Sequence, residues 1–259
     1  MDFFKKIDTL LRDDLSWNIP EQKQGKVNII GGNAQNFRTE MKTAEFLADA
    51  YPVSEVQLVL PEKLKGKLPQ LPNFCFVPAT ESGSIADSQM LRDAFNVADF
   101  NLVLGDLSKN NITSKAITSA CESSEKMTLL TRDSIDLIAD NNPEKLLMNE
   151  NLILFASMPQ LQKLLKAVYY PKVLLLSQPL MQMAEILHKF TLSYPVAIIT
   201  FNNGQILMAE NGLVRAVDLA KSGYSALTIW SGELAAKIVA LNLYNPNNFL
   251  DATTTAIMK

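Results

Sequence analysis

The chain has one histidine, two cysteines and ten glycines in 259 residues. A single histidine excludes a multi-histidine metal site within one chain. Cys75 and Cys121 have no paired spacing, so neither a disulfide framework nor a structural zinc site is expected, and both read as buried thiols. A strong excess of charge is missing too. The formal net charge of -3 gives no global field for nucleic acid or an anionic membrane. The longest apolar stretches, such as 173–176 and 196–199, fall far short of the ~20 residues of a membrane span. The opening segment, MDFFKKIDTLLRDDLSW, carries four acidic residues and no long apolar core, so it does not read as a signal peptide. The expectation is a cytoplasmic protein with no metal-ligating residue set of its own and no nucleic-acid or membrane partner. What is present is a chain 47% hydrophobic, too apolar and too weakly charged for disorder. It is long enough for one large α/β domain over residues 1–259.

Residues 3–17 place Phe4, Ile7, Leu10, Leu11 and Leu15 at helical spacing, which predicts an amphipathic helix in an N-terminal extension, residues 1–24. From residue 27 onward, strand and helix patterns alternate. Strands are expected at 27–30, 56–60, 74–77, 100–104, 127–130, 152–155 and 173–176. Helices are expected at 37–50, 88–97, 112–121, 134–139, 159–167 and 181–191, with a further short one near Pro143. This alternation predicts a mostly parallel sheet covered by helices on both faces. The pattern changes near residue 195. Apolar runs at 196–201, 205–209 and 213–217 are separated by Asn202-Asn203-Gly204 and Asn211-Gly212, which predicts an antiparallel three-strand meander at the sheet edge. Helices at 232–244 and 246–258 close the chain.

Few segments carry chemistry. Gly31-Gly32-Asn33 follows the first core strand, where it reads either as a tight turn or as a place for close backbone approach to a ligand. The G-x-G-x-x-G dinucleotide fingerprint is absent. Ser231-Gly232-Glu233 precedes an apolar helix. It reads as an ordinary cap, or as an anion site with a carboxylate in the first turn. Asp133 follows a strand, as a ligand contact at the strand end or as a helix N-cap. His188 lies in a helical pattern and reads as a packing or surface residue.

The order of these elements and several short motifs resemble the NAD(P)H-hydrate dehydratase family of ribokinase-like proteins, over roughly residues 25–259. The resemblance is carried by VNIIGGN at 27–33, Pro61-Glu62, DFNLVLGDLS at 99–108, TRDSIDL at 131–137, ASMPQL at 156–161, Asn211-Gly212 and TIWSGE at 228–233. It departs from the family at Arg38-Thr39-Glu40, where a glycine-alanine pair is expected. Further departures are Thr131 for an aspartate, Met158 for a histidine, and Ile229-Trp230 for two glycines.

The resemblance implies a three-layer α/β/α sandwich with an antiparallel hairpin region near 195–218. It also implies a lyase-type activity using ADP or ATP with magnesium on hydrated NADH or NADPH. In that scheme Glu233 is the catalytic base, and Thr228, Ser231 and Gly232 bind the nucleotide. Gly31, Gly32, Asn33, Gly105 and Asp133 line the substrate side. The coordinated loss of motif residues points instead to reduced or altered activity, or to a non-catalytic binding or assembly module. A kinase for a vitamin precursor is the third reading. The N-terminal helix could pack on its own domain or on another copy in a homo-oligomer.

Overall fold

A computed structural model describes residues 3–9, 14–68, 73–175 and 177–259. Ten strands form one sheet in the order β1-β10-β9-β8-β7-β6-β5-β2-β3-β4. They are β1 (Phe4–Ile7), β2 (Lys26–Gly31), β3 (Glu55–Pro61), β4 (Phe74–Val77), β5 (Phe100–Gly105), β6 (Met127–Thr131), β7 (Leu152–Ser157), β8 (Ala197–Asn202), β9 (Gln205–Glu210) and β10 (Leu213–Asp218). Only β9 runs against the rest. Eight helices cover the two faces: α1 (Arg38–Ala50), α2 (Gln89–Val97), α3 (Asn111–Ser123), α4 (Asp133–Ala139), α5 (Met158–Ala167), α6 (Leu180–Ser193), α7 (Glu233–Tyr244) and α8 (Phe249–Met258).

Because side chains alternate along a strand, each central strand feeds two cores. Ile30, Val103, Leu130 and Leu154 face α2 to α6, whereas Ile29, Leu102, Leu129 and Phe155 face α1, α7 and α8. The three-layer sandwich and the antiparallel meander match the sequence reading, except that the meander is not at the edge, because β1 lies outside β10. No helix among the described residues is long and apolar enough to cross a membrane.

Two expected elements are replaced. Over the described residues 3–9 and 14–17 the expected helix is absent: Phe4–Ile7 is the strand β1, and a short 3-10 turn spans Ser16–Asn18. Leu10 and Leu11 lie outside the described residues. The reason is a distant partner. β1 pairs in parallel with β10, with Phe4 opposite Val214 and Ile7 opposite Val217, and so satisfies backbone groups that β10 would otherwise leave open. Phe3 and Phe4 pack into one core and Ile7 into the other. The strand expected at 173–176 is also missing over 173–175, and Leu176 lies outside the described residues. β7 pairs directly with β8, Ile153 opposite Ala197, which leaves no slot between them.

Candidate functional site

In open parallel sheets, ligands bind outside the carboxyl ends of the strands. Here the loops after β2, β5, β6 and β7 are tied together by a polar network at that edge. The Gly32 N–H donates to Gly105 O at 2.9 Å. The Asn33 side chain donates to Asp106 O at 2.6 Å, and its Oδ1 accepts from the Gln35 and Asn36 N–H groups. Asp106 Oδ1 pairs with Arg132 at 2.8 Å, and Asp106 Oδ2 accepts from the Thr39 hydroxyl at 2.9 Å. The Gln160 side chain donates to Arg132 O at 2.6 Å, which brings in the loop after β7. Asp106 and Arg132 both have positive φ, 51° and 57°, although neither is glycine. Such backbone strain is held only where surrounding contacts over-determine it.

Glu40 and Asp133 are the unusual members. Glu40 is fully buried, and both carboxyl oxygens meet no hydrogen-bond donor from another described residue. Burial, reinforced by the charge on Asp106, pushes its pKa up to about 8. Asp133 Oδ2 accepts from the Leu107 N–H at 3.0 Å, while Oδ1 is buried without a partner. Burial also raises Asp133, with the Asp106 charge adding to the effect.

Three glycines make room for these oxygens. A Cβ on Gly31 would lie 2.7 Å from Glu40 Oε1. A Cβ on Gly105 (φ 122°) would overlap Asp133 Oδ1, and one on Gly232 (φ 99°) would overlap Thr43 Oγ1, itself buried without a partner. At Gly105 and Gly232 the backbone lies where glycine is favoured and a side chain is strained. The glycines at this edge therefore accommodate the protein's own side chains.

Gly31, Gly32, Asn33, Gly105 and Asp133 thus come together at one edge. Gly232 reaches the cluster through Thr43, three residues along α1 from Glu40. Thr228 and Ser231 are exposed on the 3-10 turn before α7, where Thr228 is hydrogen-bonded to Ser225. Glu233 is exposed in the first turn of α7. Its Oε1 accepts from the Tyr224 hydroxyl at 3.3 Å and lies 4.0 Å from Lys237 Nζ. In the same turn, Ile229 is fully buried, and the Trp230 ring packs on Phe155 near the end of β7, with centroids 4.7 Å apart.

Glu40, Asp106 and Arg132 were not among the residues that sequence reasoning singled out for the site. Glu40 had a legible signal: with Thr43, Ala44 and Leu47 it occupies the buried stripe of α1, an unexpected place for a carboxylate. The pairing of Asp106 with Arg132 had none, because it joins two separate loops. His188 proves to be a packing residue, stacked on Phe3 at 4.2 Å with Nδ1 against Gly212 O. Among the described residues, no group of three or more His, Cys, Asp or Glu is arranged to hold a metal ion.

No protein-family model and no curated protein matches the sequence. Solved structures do match in fold. A ribokinase-like superfamily protein from Enterococcus faecalis superposes with a TM-score of 0.67 at 13% identity, over 98% of this chain and 86% of that one. An ADP/ATP-dependent NAD(P)H-hydrate dehydratase from Bacillus subtilis, co-crystallised with ATP and Mg2+, gives 0.58 at 11% identity, over 90% and 79%. A Bacillus subtilis pyridoxal kinase, solved as an ADP complex, gives 0.52 at 10% identity, over 91% and 89%. The fold of this chain is ribokinase-like.

Proposed function

We propose that this chain is a non-catalytic ribokinase-like module, which keeps the sandwich for binding or assembly. The observation that carries this reading is the turn before α7, where Ile229 is buried and the Trp230 ring packs on Phe155, two bulky side chains where the resembled family has glycines. Supporting it, the space beside Gly31 and Gly105 is taken by Glu40 and Asp133, and that beside Gly232 at the start of α7 by Thr43. These residues do not fit a nucleotide phosphate with magnesium, so no step through such a group is assigned. Titration calorimetry of the whole protein with ADP, and with ATP and magnesium, should show no saturable heat. Saturable binding together with turnover of hydrated NADH that Glu233→Gln abolishes would overturn the reading.

A hydrate dehydratase of altered activity is the second reading. It is favoured by Gly232 and Glu233, which retain a glycine-opened helix with a carboxylate in its first turn. The neighbouring kinase folds keep a vitamin-precursor kinase as the third, with the same nucleotide titration as its test.

A further inference from the structure

Away from the strand-end site, residues 168–175, which follow α5, present apolar side chains. α5 ends in a Schellman motif: the Tyr170 N–H donates to Leu165 O at 2.9 Å and the Tyr169 N–H to Lys166 O at 3.1 Å. The position after the cap, usually glycine, is Tyr169 at φ 52°. Its ring is 93% exposed, so the strained conformation is not repaid by packing. The described residues beside it are anchored. The Tyr170 ring meets Phe190 edge-on at 5.1 Å, Leu174 is buried, the Gln162 side chain donates to Leu174 O, and the Leu175 N–H donates to Gln178 Oε1 at 3.0 Å. From this support Val173 and Leu175 stand 76% and 58% exposed, and Val173 shares a cavity wall with Tyr169. Exposed apolar groups gathered on one surface mark interaction sites.

Two cavities flank the loop and share Lys172 and Val173. One, about 480 Å³, is walled by Leu165, Tyr169, Tyr170 and Leu174; the other, about 300 Å³, lies against Gln182 and Ile186. A small molecule would fill one of them, whereas a chain segment would straddle the Val173 ridge and use both. The rim is basic. Lys189 is paired with Glu185 at 2.6 Å, and Lys172 is near enough to help hold that carboxyl below its usual range, behind the dominant hydrogen bond and charge of Lys189. Among the described residues Lys166 and Lys172 form no ion pair of their own. Two identical chains docked through this face would bring two net-positive patches together, which disfavours self-association through it.

We propose that this groove docks an acidic, apolar segment of a partner protein, which straddles the Val173 ridge and packs on Tyr169 in the larger cavity. An aromatic centre inside a charged rim is the usual anatomy of such a surface. The site is separate from the strand-end edge and does not depend on whether that edge is catalytic.

The test uses the full chain and a fluorescently labelled amphipathic peptide of leucine and glutamate, with a leucine–lysine peptide as control. Anisotropy should show saturable binding of the acidic peptide, weakened by salt. Tyr169→Gly, and separately Lys166→Glu with Lys172→Glu, should each loosen it by about tenfold or more. Tyr169→Gly should keep or raise the melting temperature, because glycine suits the backbone there. Absence of saturable binding, equal binding of the basic peptide, or a lower melting temperature for Tyr169→Gly would each overturn the proposal. A dimer in sedimentation that Tyr169→Gly dissolves would overturn it in favour of a second copy.

Discussion

Replacing Glu40 by glutamine isolates the energetic effect of the buried carboxyl. In the folded protein its pKa is about 8, against 4.5 for the unperturbed group. The folded state therefore holds the proton more tightly than the unfolded state. Stability linked to Glu40 is complete below about pH 4.5 and drains away as pH rises through about 8. At 1.36 kcal/mol per pKa unit, the difference reaches about 5 kcal/mol at most. Glu210, raised by burial, slopes the same way but is common to both proteins and drops out, whereas Asp133, also raised by burial, is coupled to Glu40 and cancels only in part. Glutamine is nearly isosteric and cannot ionise. At pH 5 the parent should equal or exceed Glu40→Gln in stability, and at pH 9 the variant should be the more stable. For a chain of this size, the gap in melting temperature should change by about 10 °C between the two pH values. Thermal unfolding followed by circular dichroism at closely spaced pH values measures it. A gap that stays constant with pH would show that Glu40 does not carry a buried proton, and would refute the reasoning.

Gly232→Ala should cost about 2–4 kcal/mol, from a strained φ and from overlap with Thr43 Oγ1. Adding Thr43→Ala should recover the overlap but not the strain, and denaturant unfolding of the single and double variants separates the two. Arg132→Met should cost about 2–3 kcal/mol, because Asp106, with its side chain 8% exposed, loses its charge partner. Pairing it with Asp106→Asn should restore much of that loss, and a double-mutant cycle gives the coupling.

The central strands and most helices were legible because burial on two faces writes itself locally, as continuous apolar runs for strands and stripes for helices. FNLVLG at β5 is buried at every position, and a run of that kind needs no knowledge of its neighbours. β1 was not legible. Phe4-Lys5-Lys6-Ile7 has helical spacing, but its pairing with Val214–Val217 lies across the whole chain, where no local period can report it. The segment at 173–176 failed for the opposite reason: its apolar residues looked like a strand, yet the sheet had no place for one.

At the candidate site, the sequence alone placed glycines and Asp133 at the strand ends, because turn chemistry and strand boundaries are local properties. It also showed that bulky Ile229 and Trp230 precede Ser231-Gly232. Only the tertiary structure decided what those glycines face. Beside Gly31 and Gly105 stand Glu40 and Asp133, and beside Gly232 at the start of α7 stands Thr43, all brought from α1 and α4. Only the fold could show that Glu40 is sealed from water beside Asp106, since proximity between separate loops, and the loss of solvent that raises a carboxyl, arise when the layers close on one another.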